Sequence, residues 1–87
     1  MKEQLKAVVT GLHQKIILRC VITGNPEPTV TWFKDGEVNM ANTEYKNFTA
    51  TYTIKDTVGE STGNYICRAS NEAGMAETAA TVTIQGL

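Results

Sequence analysis

Two cysteines far apart in the chain, Cys20 and Cys67, each sit in a stretch where apolar side chains recur at every second position. That period belongs to a strand with one buried face. In "KIILRCVITG", Ile16, Leu18, Cys20 and Ile22 share one side, while Ile17, Arg19 and Val21 share the other. In "NYICRAS", Tyr65, Cys67 and Ala69 point the same way. Between them, "TVTWFKDGEV" sets Val30 and Trp32 on one face and Thr31 and Phe33 on the other. It breaks at Asp35-Gly36, a short-hairpin signal, after which Val38 is expected to turn back inward. "ATYTIKD" directs Ala50, Tyr52 and Ile54 inward, and "MAETAATVTIQ" does the same for Thr78, Ala80, Val82 and Ile84. The prolines of "GNPEP" end a strand, because they cannot donate to a ladder. Residues 39–49 are polar and read as a short edge strand with loops. No window shows helical periodicity, so the chain is all-β: a two-sheet antiparallel sandwich of about seven or eight short strands.

Eighty-seven residues, 41% hydrophobic and 20% charged, suit one globular domain. Residues 1–87 are read as that single domain, with 1–6 as a frayed start and 86–87 as the beginning of a linker. The formal net charge is −1 and Lys and Arg never run together, so the phosphate-binding footprint of a nucleic-acid partner is missing. No apolar run is long enough for a signal core or a membrane span. The charged start "MKEQLK" also fits a domain cut from a longer chain.

Cys20, Trp32 and the Tyr65-Ile66-Cys67 triplet, all with inward anchors, together resemble the immunoglobulin fold. "NPEPTVTWFKDG" and "CRASNEAG" are similar to its intermediate, or I-set, class, as found in titin, myosin light chain kinases and many adhesion receptors. The resemblance covers about residues 8–84. It implies that the cysteines face each other across the sheets, that Trp32 packs on them, and that the Tyr65 hydroxyl turns back to the backbone. The core is expected to hold Leu18, Cys20, Trp32, Ile54, Tyr65 and Cys67. Cys20 and Cys67 are a candidate disulfide, or a pair of buried thiols if reduced; the sequence leaves both states open. Some positions depart from the family pattern. Ser61 stands where an aspartate is usual, Thr57 where a buried Val or Ala is usual, and the segment from Val38 to Ala50 is short.

Catalysis would need a nucleophile beside a base, paired carboxylates in a cleft, or a metal cluster. His13 is the sole histidine and has no Cys or carboxylate at ligand spacing; the glycines are scattered over turns rather than gathered in a phosphate loop. The domain is therefore expected to be non-catalytic, with no cofactor and no metal. What remains is binding. With Trp32 and Cys67 inward, Phe33, Ile66 and Arg68 face outward on neighbouring strands, with Met40 near the edge, a composition suited to a protein-binding face. Asn47-Phe48-Thr49 is a glycosylation sequon, usable only on the secretory route. The expected function is a structural and protein-binding module of a multidomain intracellular protein of the titin or muscle-kinase type, cytoplasmic and sarcomeric, monomeric when isolated. Its partners would be other proteins or neighbouring domains, without nucleic acid or membrane insertion. An extracellular module of an adhesion molecule or receptor is the alternative.

Overall fold

The computed structural model describes residues 4–24 and 26–85. Eight strands follow in order: β1 (Val8–Gly11), β2 (Ile16–Val21), β3 (Thr29–Lys34), β4 (Glu37–Val38), β5 (Thr43–Lys46), β6 (Thr49–Ile54), β7 (Gly63–Asn71) and β8 (Gly74–Gln85), with a 3-10 turn at Gly59–Ser61 before β7. One sheet has the order β1-β8-β7-β3-β4, the other β2-β6-β5. All pairings are antiparallel except that of β1 with β8, which is parallel, with Val8 beside Val82.

The alternation in the sequence becomes the alternation of burial. Ile16, Leu18, Cys20 and Ile22 are buried from one sheet, and Val30, Trp32, Tyr65, Cys67, Ala69, Ala80 and Val82 from the other. Trp32 lies directly opposite Cys67, and Cys20 opposite Ala50. The sheets are joined by aromatic contacts: Trp32 and Tyr52 have ring centroids 5.5 Å apart, and Tyr52 meets Tyr65 edge-on at 5.3 Å. Such tilted pairs add about 0.5–1.5 kcal/mol each beyond the area they bury. Ile54 is only partly buried, at the margin of this core.

One expectation is corrected. Val38 does not turn inward; it is 64% exposed. The reason is the two-residue Asp35–Gly36 turn, with φ of 51° and 86°, which pairs Lys34 with Glu37 and therefore Phe33 with Val38. Directly paired residues share a face, so Val38 follows Phe33 outward. In the expected frayed start, residues 1–3 lie outside the described residues, but Leu5 is buried in the core and its amide donates to Thr78 Oγ1 at 3.2 Å. The linker expected at 86–87 also lies outside the described residues.

The two departures at polar positions have local explanations. Ser61 Oγ accepts from the Val58 amide at 3.1 Å, so a hydroxyl holds the 3-10 turn in the aspartate's place. Thr57 is fully buried; its hydroxyl donates to the Gly11 carbonyl and accepts from the Gln14 amide, both at 2.8 Å. Its own amide and carbonyl bond Gln14 and His13. One side chain thus ties the β1–β2 turn to the loop after β6.

Candidate protein-binding face

The outer face of the five-stranded sheet gathers the expected binding residues through its register. Phe33 stands opposite Ile66, Ile66 opposite Ala79, and Val38 opposite Phe33 on the other side. The result is an apolar row, Val38-Phe33-Ile66-Ala79, running across four strands. The adjacent row is polar, with Arg68 between Thr31 and Glu77. Arg68 lies over the Phe33 ring, its guanidinium carbon 4.6 Å from the centroid, and its Nε donates to Glu77 at 3.0 Å. At such exposure the ion pair contributes between zero and about 1 kcal/mol and the cation–π contact about 0.5–1 kcal/mol. Their joint effect is to hold the arginine flat, extending the apolar row with a charged margin.

Met40 does not join this row. Its sulfur accepts from the Trp32 amide at 3.2 Å, covering the edge of β3 just beyond the two-residue β4, and the residue is about half exposed, at 47%. Of the four sequence-derived residues, three are brought together and one is set at the margin. Val38, Ala79 and Glu77 were missed. Val38 was legible by counting across the two-residue turn; Ala79 and Glu77 required the pairing of β7 with β8.

The opposite sheet differs in chemistry. Its outward rows set Arg19, Thr51 and Glu44 side by side, then Val21, Thr49 and Lys46, so β-branched hydroxyls and charges dominate. Asn47 is exposed in the β5–β6 turn with φ of 52°.

Cys20 and Cys67 are fully buried and in contact with each other across the core. The hydrogen bond with Cys20, followed by burial, pushes the Cys67 thiol well above its ordinary range, so a nucleophilic thiolate is disfavoured. The Tyr65 hydroxyl donates to the Ser61 carbonyl at 2.6 Å, and burial first, then Tyr52 and Asp35, pushes it up to about 12. His13 pairs with Asp56 at 3.0 Å at the surface. Among the described residues no cluster of three or more His, Cys, Asp or Glu could hold a metal ion, and no helix is long and apolar enough to cross a membrane.

The comparisons with known proteins converge on one family. Residues 1–84 match the immunoglobulin I-set domain. A stretch of titin from Drosophila melanogaster is 42% identical over 86 residues, covering 98% of this chain and a share of titin that rounds to 0%. Neural cell adhesion molecule L1 of Takifugu rubripes is 39% identical over 89 residues, covering 91% of this chain and 7% of L1. Among solved structures, the complex of titin M10 with an obscurin-like 1 Ig domain aligns with a TM-score of 0.89 at 28% identity, covering 98% of this chain and 91% of that one. The chain thus spans only a small part of these curated relatives. With its Cys20, Trp32 and Cys67 at the centre of two facing sheets and its Tyr65 hydroxyl returned to the backbone, the chain belongs to the immunoglobulin I-set family.

Proposed function

We propose that this domain is a non-catalytic structural and protein-binding module of a larger multidomain intracellular protein of the titin type, working in the sarcomere or cytoskeleton. The observation that carries the reading is the apolar row Val38-Phe33-Ile66-Ala79 with Arg68 stacked on Phe33. Aromatic, aliphatic and Arg side chains together are the composition of interface centres. The likeness to titin favours the muscle setting, and the solved complex of titin M10 with an Ig domain gives a precedent, in that protein, for an Ig-fold partner. The domain acts by presenting a rigid sheet face and by spacing its neighbours; its contacts are with proteins or adjoining domains, and no cofactor takes part.

The test uses the parent protein in muscle extract with Phe33→Ala and Arg68→Glu. Both variants should keep the wild-type circular dichroism spectrum while losing retention of at least one wild-type partner by about tenfold or more, the range expected for truncating an interface anchor. Unchanged retention of every partner would refute the binding role of this face.

A second reading, an extracellular module of an adhesion molecule, is favoured by the likeness to L1 and by the exposed Asn47 sequon. Counting free thiols in the protein from its native source separates the two. Two thiols support the intracellular reading, and none, with a glycan on Asn47, supports the extracellular one.

A further inference from the structure

The β3–β4 hairpin stops short of where its register leads. The two-residue Asp35–Gly36 turn is closed by Lys34 and Glu37, with Phe33 and Val38 as the next pair. Hydrogen-bonded and non-bonded pairs alternate along an antiparallel ladder, so Trp32 and Asn39 are placed to exchange both of their backbone bonds. Half of that exchange is made. The Asn39 amide donates to the Trp32 carbonyl at 2.9 Å, but the Trp32 amide donates to the Met40 sulfur at 3.2 Å. A thioether, a weak acceptor, stands where a carbonyl belongs.

The bend that brings the sulfur there is held by two side-chain bonds. Asn39 Oδ1 accepts from the Ala41 amide at 3.2 Å, and Thr43 Oγ1 donates to the Met40 carbonyl at 2.9 Å. Such local bonds compete with a continuing ladder and turn the chain away from it. Trp32 is 1% exposed and Met40 47% exposed, so one contact joins a residue open to solvent to the backbone of the central core residue. Met75 offers an internal control: it is 62% exposed, and among the described residues no amide donates to its sulfur.

We infer that Met40 is an oxidation site whose sulfoxide opens the β4 edge of the larger sheet. The oxidant is a hydroperoxide. One sulfur lone pair faces the Trp32 amide, and the other attacks the terminal peroxide oxygen. The S–O bond forms as the O–O bond breaks, and the sulfur is oxidised by two electrons. The departing oxygen takes the proton of the transferred one and leaves as an alcohol, or as water when the oxidant is hydrogen peroxide. The product is a polar side chain whose sulfur is positively polarised towards the Trp32 N–H, so the contact is lost. Asn39 then holds β3 by one bond alone. Val38, one residue earlier, ends the apolar row, so the change reaches that row from outside it; the opening itself does not depend on what the row binds.

The test is peroxide treatment of this chain, with sulfoxide located by peptide mass spectrometry and protection read by amide hydrogen exchange. Met40 should convert in the folded chain. The Trp32 and Asn39 amides should then exchange about fivefold faster or more, while those of β7 and β8 keep their protection. Met75→Leu should respond as the unsubstituted chain does. Met40→Leu, which keeps an apolar side chain but no sulfur, should not respond, although the cysteines and the other methionines remain. The site is overturned if Met40 stays reduced while Met75 is converted, or if Trp32 exchange stays within about twofold of the untreated chain once Met40 is converted. A response that persists in Met40→Leu, or a loss of protection spread alike over every strand, overturns it as well.

Discussion

Replacing Thr57 by valine tests whether the hydroxyl or the shape of this side chain holds the loop end together. By family likeness alone the change should be harmless, since Val or Ala is usual there. The structure implies otherwise. Thr57→Val keeps the volume but removes the bonds to the Gly11 carbonyl and the Gln14 amide, each 2.8 Å long. Each such bond contributes about 1 kcal/mol net, and a backbone group left unpaired in a buried site costs about 1–3 kcal/mol. Both bonds are only partly buried, so water regains some of the loss, and the added methyl returns roughly 0.8 kcal/mol. The expected net destabilisation is about 2–3 kcal/mol. With a urea slope near 1 kcal/mol/M for a small domain, the midpoint should fall by about 2–3 M. Thr57→Ser keeps the hydroxyl and should lose only about 1 kcal/mol for its methyl. The reasoning is refuted if Thr57→Val unfolds within about 0.5 kcal/mol of wild type, or if serine is as damaging as valine.

Tyr65 gives a prediction in pH. Its folded value of about 12 lies above the ordinary 10, so the fold favours the neutral phenol. The corresponding stability is complete below pH 10 and is lost as pH rises from 10 towards 12. At 1.36 kcal/mol per unit, the loss over that window is roughly 2–3 kcal/mol. Tyr65→Phe should flatten the fall measured by urea unfolding at pH 10, 11 and 12, at the cost of about 1 kcal/mol at neutral pH from the lost bond to Ser61. Asn71→Ala removes the bond to the Pro26 carbonyl at 2.9 Å and the acceptor for the Ala73 and Gly74 amides. It should speed amide exchange at Ala73 and Gly74 about fivefold or more, with a global loss near 1 kcal/mol; unchanged exchange there would show that the hairpin holds its shape without this side chain.

Much of this architecture was legible in the sequence because period-two burial is a local property. Once Trp32 and Cys67 were turned inward, Phe33, Ile66 and Arg68 had to face outward. The misreading of Val38 came from treating apolar character as evidence of burial, when the two-residue Asp35–Gly36 turn already fixed its partner. Met40 is different: its position depends on a sulfur contact with the Trp32 amide, eight residues away, which no pattern encodes. Thr57 bonds Gln14 and Gly11 across 43 and 46 residues, so a position that looked like an oddity is a long-range tie. The left-handed backbone at Asn47 and Phe48, with φ of 52° and 61°, was equally hidden, because an Asn-Phe pair gives no turn signal of the Asn-Gly kind.

The parallel pairing of β1 with β8 also decides how the domain responds to load. Opposed forces applied at Leu5 and Gln85 draw these strands past each other along their length. The register Val8–Val82, Val9–Thr83, Thr10–Ile84 and Gly11–Gln85 is then loaded in shear, all at once, across hydrogen bonds lying transverse to the pull. A hairpin pulled from its open end surrenders its bonds one after another. The short ladder of β1, the smallest part of the larger sheet apart from β4, is therefore the latch that must slip before tension reaches Trp32 and the core behind it.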